Sequence, residues 1–150
     1  MSVSYSLTIG VIKKENTTSF SVDIIKSFLE FGWTLYSQNN EIIYTDVGDE
    51  DNYDFCARNI SVDEYFEIVE AKEQNGEIIA AGMFLFEEKC SYRIDLLITP
   101  DFKIIISPDD ATQKVIDDID ILDVNWYLGK TLPALKDRDI FVESISFVQI

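Results

Sequence analysis

The stretch "SVSYSLTIGVI", residues 2–12, alternates small polar residues with apolar ones. This period of two is typical of a strand with one face in a core and the other in water. The predicted buried face consists of Val3, Tyr5, Leu7, Ile9 and Val11. The stretch "DIFVESISFVQI", residues 139–150, alternates in the same way, so the sequence predicts a strand near each end of the chain.

A first helix is predicted after the opening strand. Ser21 is its predicted N-cap, and Phe20 can pack against Ile25 as a hydrophobic staple. Gly32 is the predicted stop, because glycine favours the left-handed conformation that ends many helices. The predicted buried stripe consists of Ile24, Ile25, Phe28 and Leu29.

A second helix is predicted in the middle of the chain. Ser61 and Glu64 have the spacing of a capping box at its start, and Asn75-Gly76 is its predicted end. The residues that can face the core are Val62, Tyr65, Phe66 and Val69.

The remaining segments complete an α+β pattern. We predict a hairpin in residues 33–46 with its turn at Gln38–Asn40, and three strands over 77–87, 91–99 and 103–107. A turn is predicted at "SPDD" (107–110), and a short helix in 123–136 that is broken near Pro133. Residues 111–122 are ambiguous. The prediction is a single domain over 1–150, with an antiparallel-rich mixed sheet of about six strands and two or three helices packed against it.

The composition favours a folded cytoplasmic protein. The chain has 150 residues and is 47% hydrophobic, which is enough for a substantial core. It opens without a signal-peptide pattern, and its longest uncharged apolar run, residues 78–86, is too short to span a bilayer. Cys56 and Cys90 are expected to be reduced thiols, with a single bridge between them as the alternative.

The net charge of −16 is concentrated in two blocks. Residues 41–77 hold twelve acids and two bases, a net charge of −10, and residues 101–123 hold seven acids and two bases, a net charge of −5. Such charge repels nucleic acid and anionic membranes and attracts cationic proteins. We therefore expect a protein partner, with no nucleic acid and no membrane.

The first block begins with an acidic loop. The stretch "YTDVGDEDNYDF", residues 44–55, carries five carboxylates and no Lys or Arg: Asp46, Asp49, Glu50, Asp51 and Asp54. It fails the calcium-loop pattern at three of five required positions when aligned from Asp49, so we predict no metal site.

The second predicted helix continues this block. Asp63, Glu67 and Glu70 stack on one face at positions i, i+4 and i+7, and Glu73 extends the series. Such neighbours repel by about 0.2–0.5 kcal/mol per pair. Lys72 has no acidic partner at its i−4 and i−3 positions, so it relieves none of this repulsion within the helix. A solvated face explains the pattern; the competing hypothesis is that the missing partner is another molecule.

Several catalytic classes are excluded. The chain has no histidine, which removes Ser-His-Asp and Cys-His catalysis, and it has neither a Walker loop nor G-x-G-x-x-G. With 28 acids, a pair of carboxylates at a catalytic spacing carries no specificity. The sequence favours a non-enzymatic protein without a cofactor.

In type, the whole chain resembles bacterial immunity proteins of the contact-dependent inhibition and polymorphic-toxin kind. The resemblance rests on its size, the acidic segments "DVGDEDNYD" (46–54) and "VDEYFEIVEAKE" (62–73), and the lack of catalytic residues. Such proteins are small and cytoplasmic, and each binds and blocks one toxin domain, commonly a basic nuclease. The resemblance implies that this chain neutralises a cognate toxin.

The predicted partner-binding residues are Asp46, Asp49, Glu50, Asp51, Tyr53, Asp54, Asp63, Glu67 and Glu70. Tyr53 is the candidate aromatic anchor, because interface energy rests on aromatic residues more than on rim charges. Trp33 and Trp126 are assigned to the core. Two alternatives stay open: an acidic DNA-mimic or regulatory protein that binds a DNA-binding protein, and a carboxylate-based enzyme.

Overall fold

The computed structural model describes residues 5–13, 19–49, 54–87, 90–109, 114–116, 119–135 and 140–149. Its strands are β1 (Tyr5–Lys13), β2 (Ile42–Thr45), β3 (Phe55–Arg58), β4 (Ile79–Phe86), β5 (Ser91–Ile98), β6 (Lys103–Asp109), β7 (Lys114–Ile116), β8 (Ile119–Leu122) and β9 (Ile140–Gln149). Its helices are α1 (Phe20–Glu30), α2 (Val62–Gln74) and α3 (Val124–Leu135).

The predicted α+β class is confirmed. In the described part of the chain, one open sheet of seven strands has the order β3-β2-β4-β5-β6-β1-β9, and every neighbouring pair is antiparallel. The ambiguous segment 111–122 contains the separate β7–β8 hairpin. The three helices pack against the sheet, and none of them is long and apolar enough to cross a bilayer.

The opening strand has the predicted buried face from Tyr5 onward, while Val3 lies outside the described residues. Tyr5, Leu7, Ile9 and Val11 are each at most 6% exposed, while Ile12 points the other way and is 50% exposed. β1 lies between β6 and β9, where Leu7 is opposite both Ile106 and Phe147. The alternation therefore marks an interior strand whose apolar side chains face the helices.

The start of α1 differs from the prediction. Its N-cap is Ser19, which has extended backbone and accepts a hydrogen bond from the Val22 amide at 3.3 Å. Ser21 lies inside the first turn and bonds Glu73 instead. Two serines flank Phe20, and only the backbone conformation decides which of them caps the helix.

The helix ends follow the glycine pattern. α1 ends at Glu30, just before Gly32, whose φ of +98° is left-handed. α2 begins after Ser61, whose hydroxyl accepts from the Glu64 amide at 3.1 Å, and ends before Asn75-Gly76. The two predicted stops and the Ser61 cap are confirmed.

Two breaks predicted at prolines are wrong. α3 continues past Pro133 to Leu135, so the helix accommodates the proline two residues before its end and gives up the bond that residue 133 would donate to Gly129. β6 continues through Pro108 to Asp109 instead of turning at residues 107–110. Beyond Ile106, β6 pairs with β5 but no longer with β1, so Pro108 has an edge position where a missing N–H is tolerated.

The predicted hairpin of residues 33–46 forms only in part. The turn at Gln38–Asn40 is present, with Asn40 at φ +56° and its amide bonded to the Ser37 carbonyl at 3.0 Å. The first arm makes isolated bridges, Thr34 to Phe84 and Tyr36 to Ile42, instead of a strand. The second arm is β2, which leads directly into the acidic loop.

Candidate functional site

A buried lysine holds the beginning of the acidic loop. Lys72 on α2 is 1% exposed. Its Nζ donates to Thr45 Oγ1 at 3.1 Å, to the Asp46 carbonyl at 2.8 Å and to the Asp49 carbonyl at 3.4 Å. An ammonium group has three donors, and here all of them are directed at the end of β2 and the loop that follows it.

Glu77 completes this contact from the other side. Its Oε1 lies 3.7 Å from Lys72 Nζ and accepts from the Gly48 amide at 2.7 Å, while its Oε2 accepts from Asn75 Nδ2 at 3.1 Å. Gly48 has a φ of +92°, a conformation that other residues adopt only with strain. Lys72, Glu77 and the loop segment 46–49 together form what we call the loop clasp.

Burial lowers the pKa of Lys72 below its ordinary value, and the nearby Glu77 carboxylate opposes that shift. Three oxygen acceptors and the ion pair with Glu77 favour the charged form of Lys72 and offset its lost hydration. The loop clasp is thus a compact charged contact inside the protein. It fixes the start of the acidic loop despite the loop's negative charge.

Sequence reasoning missed the loop clasp, although one signal was available. Lys72 has no acidic partner within α2, as predicted, but its partners lie in the loop some twenty-five residues earlier. Tyr65, Val69 and Lys72 fall at i, i+4 and i+7, which places the lysine on the buried stripe of its own helix. A lone base on an apolar stripe needs a buried acceptor outside its own helix, and the neighbouring acidic loop offers such oxygen atoms.

Two of the predicted loop carboxylates have partners within the chain. Asp46 Oδ2 lies 3.2 Å from Nη1 of Arg58, which is on β3 across the hairpin, and Asp46 Oδ1 accepts from the Val47 amide at 2.9 Å. Asp49 Oδ2 accepts from the Asp54 amide at 2.7 Å and so closes the loop on itself. The Arg58–Asp46 pair is half exposed, so it contributes little to stability.

The middle of the acidic loop lies outside the described residues. Glu50, Asp51 and the candidate anchor Tyr53 all belong to this segment. Asp54 is the first described residue after it, and its side chain is exposed.

The exposed face of α2 carries the predicted stack of carboxylates. Asp63, Glu67 and Glu70 are all exposed. At about 100° per residue, they lie on the opposite side of α2 from its buried residues. Those buried residues are Tyr65, Val69 and Lys72. Among the described residues, no Lys or Arg forms an ion pair with any of the three carboxylates, which we call the acidic ridge.

Glu73 does not belong to the acidic ridge, contrary to the prediction that it extends the series. Its carboxylate accepts from the Ser19 hydroxyl, from the Ser21 amide at 3.1 Å and from the Ser21 hydroxyl at 3.3 Å. It therefore binds the N-terminus of α1, where free amides and the helix dipole favour a negative charge. Nothing in the local sequence of α2 distinguishes Glu73 from Glu70, because the difference comes from the start of a helix more than fifty residues earlier.

Both tryptophans are at least half-buried, and the two cysteines are unpaired. Trp33 is 2% exposed and donates from Nε1 to the Lys130 carbonyl at 2.9 Å, as expected of a core residue. Trp126 is half-buried and packs on Tyr92 with ring centroids 4.7 Å apart. Cys56 and Cys90 are both free thiols, so the bridge between them is not formed. Within the described ranges, no three Cys, Asp or Glu side chains converge as a metal site would require.

The structure therefore joins the start of the loop to the C-terminal end of α2, and it leaves the acidic ridge facing outward. Comparison of the chain with protein-family models, with curated proteins and with solved structures finds no match.

Proposed function

We propose that this protein is an immunity protein that acts in the cytoplasm by binding and neutralising a cognate toxin domain of basic character, such as a nuclease. The observation that supports this most is the acidic ridge. Three carboxylates share one exposed helix face, and no described base pairs with them. A charged surface without an internal counter-charge favours a partner of opposite charge.

The helix that carries the ridge is fixed at both ends. Ser61 caps its N-terminus, while Lys72 and Glu73 near its C-terminus bond the loop and the start of α1. A ridge on a helix held in this way is already in place before a partner arrives. Its backbone then loses little conformational freedom on binding, which leaves more of the interaction energy for affinity.

The chemistry of a nuclease suits such a surface. A nuclease binds phosphates, so its cleft is lined with Lys and Arg. Carboxylates can occupy that cleft in place of phosphates, or cover a basic surface next to it. Opposite charges also speed encounter, which is an advantage for an inhibitor that must reach the toxin before the toxin reaches its substrate.

The carboxylates that converge elsewhere already have structural roles. Glu73 and Glu77 both line a cavity of about 220 Å³ beside the start of α1. Glu73 accepts from Ser19 and Ser21, and Glu77 accepts from Gly48 and Asn75. Because these bonds hold α1 and the loop in place, this pair favours a structural role over catalysis.

The test compares two double variants with the same change in net charge. Glu67→Lys with Glu70→Lys alters the ridge, whereas Glu30→Lys with Glu87→Lys alters two exposed acids outside the 41–77 block, one of which, Glu87, pairs with Lys130 at the surface. Asp49 is left unchanged because its carboxylate closes the loop. Tagged wild type and both variants are expressed in the native cells, and the protein that copurifies stoichiometrically is identified. The rate of association with that purified partner is then measured at several salt concentrations.

We expect the ridge variant to associate more slowly and to lose most of the salt dependence, because surface charges govern the encounter step. The control variant should resemble wild type, and cells expressing the toxin should survive only with wild type or the control. If the ridge variant folds, binds as fast as wild type and still protects, the ridge is only a solvated face. Capture of a DNA-binding protein without toxin activity would replace the immunity role with the DNA-mimic alternative.

A further inference from the structure

The last strand of the sheet has an open edge with exposed apolar side chains. β9 pairs with β1 on one side, and no described strand pairs with its other side. Four of its apolar residues are exposed: Phe141 (53%), Val142 (38%), Ile145 (44%) and Val148 (49%). Between Val142 and Val148, this edge presents a row of backbone N–H and C=O groups that no described strand pairs, and such a row can bind another strand.

An apolar groove lies beside this edge, on the side of the sheet that the helices cover. It has a volume of about 790 Å³ between α3 and β9. Its lining includes Leu128, Leu132 and Leu135 from the helix and Ile140, Val142 and Ile145 from the strand. The helix therefore leaves part of the β9 face uncovered around Val142 and Ile145.

The distribution of charge favours a second copy of this chain as the occupant. β9 carries one charged residue, Glu143, in its ten positions. Block 41–77 forms β2, β3 and α2, and β3 is the opposite edge of the sheet. Six strand spacings of about 4.8 Å separate the two edges, or roughly 29 Å. Two copies can therefore meet at β9 without bringing their most acidic regions together.

We propose that two copies of this protein pair antiparallel through β9 about a two-fold axis, which joins their sheets into one. A two-fold axis makes any strand edge complementary to itself. In the register that sets Ile145 opposite Phe147 of the second copy, Glu143 faces Gln149 and no like charges meet. This register also brings the apolar grooves of both copies next to the shared axis.

The exposed apolar surface has a suitable size. Val142 and Ile145 lie on the helix-covered face, whereas Phe141, Val148 and the neighbouring Ile12 lie on the other face. Summed over both faces they expose on the order of 400 Å², about half of the roughly 800 Å² per partner of a standard interface. The strand backbone and the groove wall extend this contact area. Because the chains carry a net charge of −16 each, we expect salt to strengthen the dimer by screening their repulsion.

The first test measures mass by sedimentation velocity over a hundredfold range of concentration, at low and high salt. Wild type should change from monomer to dimer, with the midpoint at lower concentration in high salt. Val142→Lys with Ile145→Lys should be monomeric throughout. Val47→Lys with Phe86→Lys, which alters two equally exposed apolar residues elsewhere, should dimerise like wild type, and far-ultraviolet circular dichroism should show that both variants are folded.

The second test does not depend on a destabilising change. In a background with Cys56→Ser and Cys90→Ser, Ser146→Cys lies on the proposed axis and should oxidise to a covalent dimer. Ser6→Cys on the interior strand β1 should not. A wild type that stays monomeric at every concentration overturns the proposal. So does a dimer that still forms in the Val142→Lys, Ile145→Lys variant while the Ser146→Cys variant forms no covalent dimer. Variants of the acidic ridge should dimerise normally, so this result is independent of the immunity role.

Discussion

Nζ of Lys72 and Oε1 of Glu77 lie 3.7 Å apart, and neither side chain is more than 4% exposed. The two charges have lost almost all of their hydration, so each depends on the other and on the loop atoms that surround them. This dependence links the most acidic segment of the chain to the stability of the fold.

Replacing Lys72 with Met should destabilise the protein by about 3–5 kcal/mol, because it leaves Glu77 buried without its counter-charge and the loop carbonyls without a donor. Urea unfolding measures the change. Lys130→Met removes an exposed pair with Glu87 and should change the free energy of unfolding by less than about 1 kcal/mol. If the two substitutions have similar effects, the loop clasp does not hold the loop.

Glu73→Ala should lower the free energy of unfolding by about 1–3 kcal/mol, because the amide and hydroxyl groups at the start of α1 lose their acceptor. The matched control is Glu70→Ala, one turn earlier on the same helix and exposed, which should be neutral or slightly stabilising. Chemical denaturation of the two variants in the same buffer makes the comparison. If both variants lose the same free energy of unfolding, the bonds of Glu73 to the start of α1 do not stabilise the fold more than the exposed side chain of Glu70.

Glu67→Lys should stabilise the free protein by about 0.8–2 kcal/mol at low salt, since it replaces repulsion from Asp63 and Glu70 with attraction in both pairs. The gain should shrink in high salt, where these exposed charges are screened. Thermal melting at two ionic strengths tests this, and Glu67→Gln should give about half the gain. A variant that gains nothing at low salt would show that the ridge charges do not repel measurably.

Stability should fall as the pH rises above 10, through Tyr44 and Tyr65. Burial raises the pKa of both phenols above the ordinary value of 10.0. In this range the unfolded chain loses those protons while the folded protein keeps them, so deprotonation favours unfolding. The difference in unfolding free energy between wild type and Tyr65→Phe, which cannot ionise there, should narrow above pH 10. A constant difference up to pH 11 would contradict a raised pKa of Tyr65.

Local patterns were sufficient for most of the fold. The alternation in residues 5–11 marks the buried face of β1, and the Ser61 cap and the two glycine stops mark helix ends, because these signals depend on neighbouring residues alone. The errors at Pro108 and Pro133 arise where tertiary position decides whether a proline is tolerated. At Pro108 this depends on whether a neighbouring strand needs the missing N–H.

The candidate site was less accessible to sequence reasoning. The outward stack of Asp63, Glu67 and Glu70 follows from helix periodicity and is present. The roles of Lys72 and Glu73 depend on contacts with Asp46 and Ser19, which are far away in sequence and near only in the fold. A charge count cannot separate an acid that binds a helix terminus from one that faces water.

The position of β1 between β6 and β9 also sets the order in which the protein can assemble during synthesis. Leu7 is made early, yet its partners Ile106 and Phe147 leave the ribosome much later. Until then, the apolar face of the first strand must remain unpaired or be shielded by chaperones. Closing such distant contacts is slow, so the acidic helix α2 can form well before the sheet beneath it is complete.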